Sequence, residues 1–138
     1  MTITDPEFTT NTLSARVSTP SSVTAPWWLT VVYGPQTDED KVAFLQEIHD
    51  VRADCPGPWL LCSDFNLIYH DEDKNNGNLN RRMMGRFWRV LNDLALKEVY
   101  LNGCRYTWSN GQDPPMLVHL DRVFCTADWE EQHGEFHL

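Results

Sequence analysis

The stretch from Trp27 to Tyr33, reading WWLTVVY, constrains this chain more than any other. Its residues are aromatic, β-branched or leucine, closed by Gly34-Pro35, and they predict a buried strand. The segment that follows supplies a covering layer. Thr37 stands where a helix cap belongs, with Asp38, Glu39 and Asp40 at the helix's positive end. Phe44, Leu45, Ile48 and Val51 recur at helical spacing as one apolar stripe. Pro56-Gly57-Pro58 ends the helix, and the short apolar run Trp59 to Cys62 predicts a second strand.

After a loop rich in Asn and Asp, Asn80 is placed to cap a second helix. Met84, Phe87, Trp88, Leu91, Leu94 and Ala95 are predicted on its inner side, with Arg82, Arg86 and Arg89 opposite. Gly85 costs that helix about 1 kcal/mol relative to Ala. The turn signals Asn102-Gly103 and Asn110-Gly111 delimit Arg105 to Trp108 and Leu117 to Phe124 as further strands. The order predicts a mixed α/β layered domain over residues 26–138. Residues 1–25, eleven of them Ser or Thr, form a separate N-terminal segment. Within it Leu13 to Val17 suit a short strand, and residues 1–12 are expected to be frayed or appended.

With 138 residues, 41% hydrophobic, the chain can build a single core. No apolar run reaches the roughly 18 residues of a membrane span, and no basic-then-apolar leader opens the sequence. Cys55, Cys62, Cys104 and Cys125 lack C-x-x-C spacing and read as reduced thiols of an intracellular protein, Cys62 simply packed. The net charge of −9 repels polyanions, so contact with nucleic acid needs a local basic patch or a metal ion. Lys74, Arg81, Arg82, Arg86 and Arg89, uninterrupted by acid, are either that patch or a solvated helix face.

Ser63-Asp64-Phe65-Asn66 directly follows the second strand. In an extended chain residues two apart point the same way, so Asp64 and Asn66 would face one site while Phe65 anchors in the core. A carboxylate can orient or deprotonate water, and an amide can donate to a phosphate oxygen. Asp and Asn also crowd ordinary turns for local hydrogen-bonding reasons. Asp121, amid apolar residues, needs a wet cleft, a metal, or a salt bridge to Arg122 or a sheet neighbour. Tyr33 ends the first strand, either at an active-site mouth or with a buried, hydrogen-bonded tip. His119 lies two residues before Asp121 on the same strand face, where a lone histidine is more often structural than catalytic.

In order along the chain, V-V-Y-G-P (31–35), S-D-F-N (63–66), Y-T-W-S-N (106–110) and L-D-R-V-F (120–124) resemble the endonuclease/exonuclease/phosphatase superfamily. Residues 27–131 look most like the apurinic-type endonuclease domain of plant LINE-type (non-LTR) retrotransposons, a likeness strengthened by D-K-N-N-G-N-L-N-R-R at 73–82. The resemblance implies a DNase I-like α/β sandwich of two packed sheets that cleaves phosphodiester bonds with Mg²⁺. Asp64 would position the attacking water, Asn66 and Tyr33 would contact the scissile phosphate, and Asp121 would pair with the family's catalytic histidine. Trp108 would lie near the substrate cleft, and Asn75, Arg82, Arg86 and Arg89 would contact the DNA. Asp64 and Asp121 would give a weak, incomplete metal site, since Mg²⁺ prefers several oxygen ligands.

The chain departs from that pattern. Ser63 replaces a usual glycine, and His119 stands where a basic residue is common. The family's upstream metal-binding Glu and its final Ser-Asp-His block have no counterpart, so the chain reads as an internal piece of a longer domain. Little or no nuclease activity is expected of it alone, and uncovered sheet surface would favour self-association. The alternative is a non-enzymatic retroelement-derived fragment that binds nucleic acid or protein through its basic helix face.

Overall fold

The computed structural model describes residues 2–18, 25–67, 81–99, 108–109, 117–118 and 121–133, with Trp108, Ser109, Leu117, Val118 and Asp121 described by backbone alone. In chain order the elements are β1 (Thr2–Phe8), β2 (Thr12–Ser18), β3 (Trp27–Tyr33), α1 (Asp38–Asp54), β4 (Trp59–Asp64), α2 (Arg81–Asp93), β5 (Lys97–Val99), β6 (Trp108–Ser109), β7 (Leu117–Val118), β8 (Asp121–Cys125) and α3 (Ala127–Gln132). Six strands make one sheet in the order β1-β2-β3-β4-β8-β5, and β6 pairs with β7 apart from it.

The predicted strand–helix–strand unit is present. β3 and β4 run parallel from Trp28 opposite Trp59 to Tyr33 opposite Asp64. Between them α1 starts at Thr37, whose side chain accepts a 3.2 Å hydrogen bond from the Asp40 N–H. All four residues of the apolar stripe, Phe44, Leu45, Ile48 and Val51, are buried. Each such burial contributes about 1.5–3 kcal/mol, which outweighs the weaker preferences of the exposed acidic positions.

β4 and β5 are both antiparallel to β8, which lies between them, and so are parallel to each other. The helix joining them, α2, must therefore return from the end of the sheet at which β4 stops. It joins α1 on one face, around a core of Val32, Phe44, Phe65, Phe87, Leu91 and Phe124. The opposite face carries a smaller cluster of Leu60, Val123, Cys125 and Trp129, with Trp27, Leu29, Cys62 and Val99 only partly buried. Burial raises the pKa of Cys55 and Cys62, and that of Cys125 to about 11, which keeps these thiols protonated at neutral pH.

Four expectations are corrected. Residues 2–8, expected to be frayed, form β1, which is antiparallel to β2 and adds an exposed edge to the sheet. On α2 the buried set is Met83, Met84, Phe87, Val90 and Leu91. Trp88 is 48% exposed, because it lies about 100° round the helix from Phe87, and Ala95 falls beyond the helix with a φ of 53°. The single strand expected from Leu117 to Phe124 is instead β7, paired with β6, and β8, within the main sheet. Sequence periodicity also missed β5 and α3, which are too short to show a pattern. The proposed cap Asn80 and the Asn102-Gly103 and Asn110-Gly111 turns lie outside the described residues. Among the described residues no helix is long and apolar enough to cross a membrane.

Candidate active site

The parallel pairing of β3 with β4 and the antiparallel pairing of β4 with β8 end on one row. Tyr33 is the Cα partner of Asp64, and Asp64 is the Cα partner of Asp121. Three residues distant in sequence thus meet at one end of three adjacent strands. Tyr33 is 74% exposed, so the buried-tip reading of this tyrosine does not hold. Asp64 and Asn66 are half-buried beside it, while Phe65 is fully buried. Its ring packs edge-on to Phe124 and tilted against Phe44 and Phe87, which fixes the backbone on either side.

The chain does not continue extended from Asp64 to Asn66, as two-residue alternation supposes. β4 stops at Asp64, and Asn66 adopts a left-handed φ of 50°. The two side chains are brought together by a turn instead. Asp64 Oδ1 accepts a 2.9 Å hydrogen bond from the Asn66 N–H, and Asn66 Nδ2 donates to the Gly34 carbonyl at 2.6 Å. The Gly34 N–H donates back to the Asp64 carbonyl at 2.7 Å. This lattice leaves no room for a side chain at position 34: a Cβ there would stand 2.0 Å from the Phe65 carbonyl oxygen. Ser63, just before the aspartate, holds a φ of 102°, a conformation that favours glycine.

Sequence reasoning missed two supports of this end of the sheet. The Tyr33 N–H donates to the Asn11 carbonyl at 2.8 Å. Asn11 in turn donates through its backbone N–H (2.7 Å) and Nδ2 (3.0 Å) to the Glu47 carboxylate of α1, which Thr9 Oγ1 also reaches. On the α1–α2 side of the sheet Arg122, next to Asp121, forms a buried ion pair with Glu98 at 3.1 Å. Neither pairing leaves a local sequence signal, since the partners are 36 and 24 residues apart.

The remaining expected residues divide. Arg82, Arg86 and Arg89 are exposed along α2, as expected. Trp108 lies in β6 opposite Val118, outside the main sheet. Asn75 and His119 lie outside the described residues. Among the described residues no group of three or more His, Cys, Asp or Glu could hold a metal ion. Mg²⁺ takes a near-octahedral shell of oxygens, so the described donors do not by themselves fit a magnesium site.

A mixed α/β sheet with helices packed against it matches DNase I-like endonuclease folds. Residues 2–136 match the Endonuclease/Exonuclease/phosphatase family, and the chain belongs to it. The fold is similar to the endonuclease domain of TRAS1, a telomere-specific non-LTR retrotransposon, with a TM-score of 0.66 and 18% identity over 86% of this chain and 51% of that one. It is also similar to D. rerio TDP2 solved with a single-strand DNA product, with a TM-score of 0.51 and 16% identity over 90% and 52% of the two chains. This chain therefore spans about half the length of the solved structures it matches. No curated protein matches the sequence. The family is generally dependent on a divalent metal, and phosphoester hydrolysis is its chemistry.

Proposed function

We propose that the chain carries part of a site for phosphodiester hydrolysis in DNA, with Mg²⁺ as cofactor. The observation that carries this reading is the single row Tyr33, Asp64, Asp121 at the sheet end, with Asn66 locked beside it. One Asp64 oxygen is engaged by the Asn66 N–H; the other is available to orient water. Asn66 Nδ2 carries two N–H donors and uses one on Gly34, so the second can reach a phosphoryl oxygen. The Tyr33 hydroxyl, on an exposed side chain, serves as a further donor. Likeness to a retrotransposon endonuclease domain supports DNA as substrate.

Two carboxylates fall short of the magnesium shell, so turnover by these 138 residues is slow. Incubating supercoiled plasmid with Mg²⁺ and excess protein tests the reading. A small rate of nicking that Asp64→Ala abolishes is expected. Equal nicking by both proteins rejects hydrolysis by this chain. The exposed Arg82, Arg86 and Arg89 favour a second reading, in which α2 binds nucleic acid without cleaving it.

A further inference from the structure

A groove of about 220 Å³ runs between α1 and α2. Its walls are the strip from Val42 to His49 on α1 and the strip from Arg86 to Asp93 on α2, each built from positions three and four apart. Leu45 and Val90, both buried, form its floor. Arg86, Arg89 and Asp93 stand exposed on one wall, and His49 faces them, half-buried, from the other. The charges on these walls do not pair as neighbours on a helix usually do. Arg89 is four residues before Asp93, a spacing at which opposite charges meet, yet Asp93 turns across the groove to His49 at 3.9 Å. At the positions three and four away from Arg86 stand Arg82, Met83, Arg89 and Val90, none of them an acid. Among the described residues neither Arg86 nor Arg89 has a hydrogen-bond or ion-pair partner.

Acids outnumber Lys and Arg by 20 to 11 in this chain, so a shortage of partners does not explain two free arginines side by side. Like charges at these spacings destabilise a helix, and an anion lodged between them removes the repulsion. Guanidinium forks fit phosphoryl oxygens two at a time, and an imidazole N–H adds a donor. Arg82, one turn before Arg86, continues the row, which spans about 10 Å along the helix axis. Such a row suits the regularly repeated charges of a phosphodiester backbone better than a single small anion. We infer that the groove between α1 and α2 is a binding site for the phosphate backbone of nucleic acid, with Arg86 and Arg89 on the phosphoryl oxygens and His49 as a donor from the opposite wall. This inference rests on the second reading above, that α2 contacts nucleic acid, and adds the place of contact and the part taken by α1.

Anisotropy titrations of the full chain with a labelled DNA duplex, in EDTA so that no cleavage intervenes, test it across a range of salt. Thermal melts establish that each variant is folded. Replacing Arg86 and Arg89 together by Gln is expected to weaken binding and to flatten the slope of log affinity against log salt by about 1.8. Arg16→Gln, which removes an exposed cation from β2, leaves that slope unchanged. His49→Ala weakens binding, whereas Asp93→Asn, which removes the acid from the groove, tightens it. Unchanged affinity in both of these variants overturns the two-helix site. If Arg82→Gln weakens binding but the Arg86 and Arg89 variant does not, the groove is overturned and the second reading stands. An equal loss per charge from Arg16→Gln means diffuse attraction and overturns the groove as well. If no arginine variant changes affinity, the groove and the second reading fall together. Displacement of the duplex by polyglutamate at equal charge concentration overturns nucleic acid as the ligand in favour of an acidic protein.

Discussion

At the scale of single residues, Ser63 and Gly34 show how closely the backbone is controlled beside Asp64. A φ of 102° is strained for any side chain, by roughly 1–2 kcal/mol in the left-handed region. Ser63→Gly, which removes the side chain from this conformation, should stabilise the fold by up to about 1 kcal/mol, after allowing for the greater entropy of unfolded glycine. Urea denaturation would show a higher midpoint; a lower one would mean the serine is not strained. Gly34→Ala should act in the opposite direction. Its Cβ would collide with the Phe65 backbone, which cannot rotate away as a flexible side chain would, at a cost of about 3 kcal/mol or more. Asp64, Asn66 and Tyr33 were legible in the sequence as residue types. The sequence signalled a turn at Gly34, but not its close approach to a second strand, which arises between segments about 30 positions apart.

At the scale of elements, α1 and α2 differ in how well their patterns spoke. α1 has a cap, an acidic first turn and an apolar stripe, and each took its expected place, with Val42 outside the stripe left exposed. In α2 the apolar residues Met83, Met84, Phe87, Trp88, Val90 and Leu91 cover an arc of about 160°, so periodicity alone leaves open which edge of that arc is buried. The neighbouring α1 and the sheet chose it, burying Met83 and Val90 and leaving Trp88 outside. Gly85 sits on the exposed side with room for a methyl group. Gly85→Ala should therefore stabilise the protein by about 1 kcal/mol, read as a higher melting temperature. No change would mean that α2 is frayed at that turn.

At the scale of the whole molecule, the sheet has one face closed by two helices and another closed mainly around Trp129. Residues 2–18, part of the segment 1–25 read as separate, extend this sheet by two strands, and Asn11 within them braces Tyr33. Buried thiols give the fold a pH signature. Burial lifts Cys125 from 9.0 to about 11, with Cys55 and Cys62 shifted in the same direction. Below about pH 9 both folded and unfolded chains keep these protons, so the thiols add no pH dependence. Between about pH 9 and pH 11 the unfolded chain releases protons that the native state retains, and stability falls as pH rises. Denaturation midpoints measured across that window should drop less steeply for Cys125→Ala than for the wild type. Equal slopes would show that Cys125 ionises freely in the folded protein.

Local chemistry settled much in advance: the capped helix, the two apolar strands around it, and the presence of Asp64, Asn66, Asp121 and Tyr33 as residue types. Caps, periodicity and turn residues act within a few positions of one another, so they can be read from a linear string. Strand order and register act across the chain. Only they bring Tyr33, Asp64 and Asp121 into one row, fold Asn66 back onto Gly34, bury Arg122 with Glu98 and leave Trp88 in solvent. Each of those outcomes depends on which surfaces meet when the layers pack, a quantity that no short window of sequence contains.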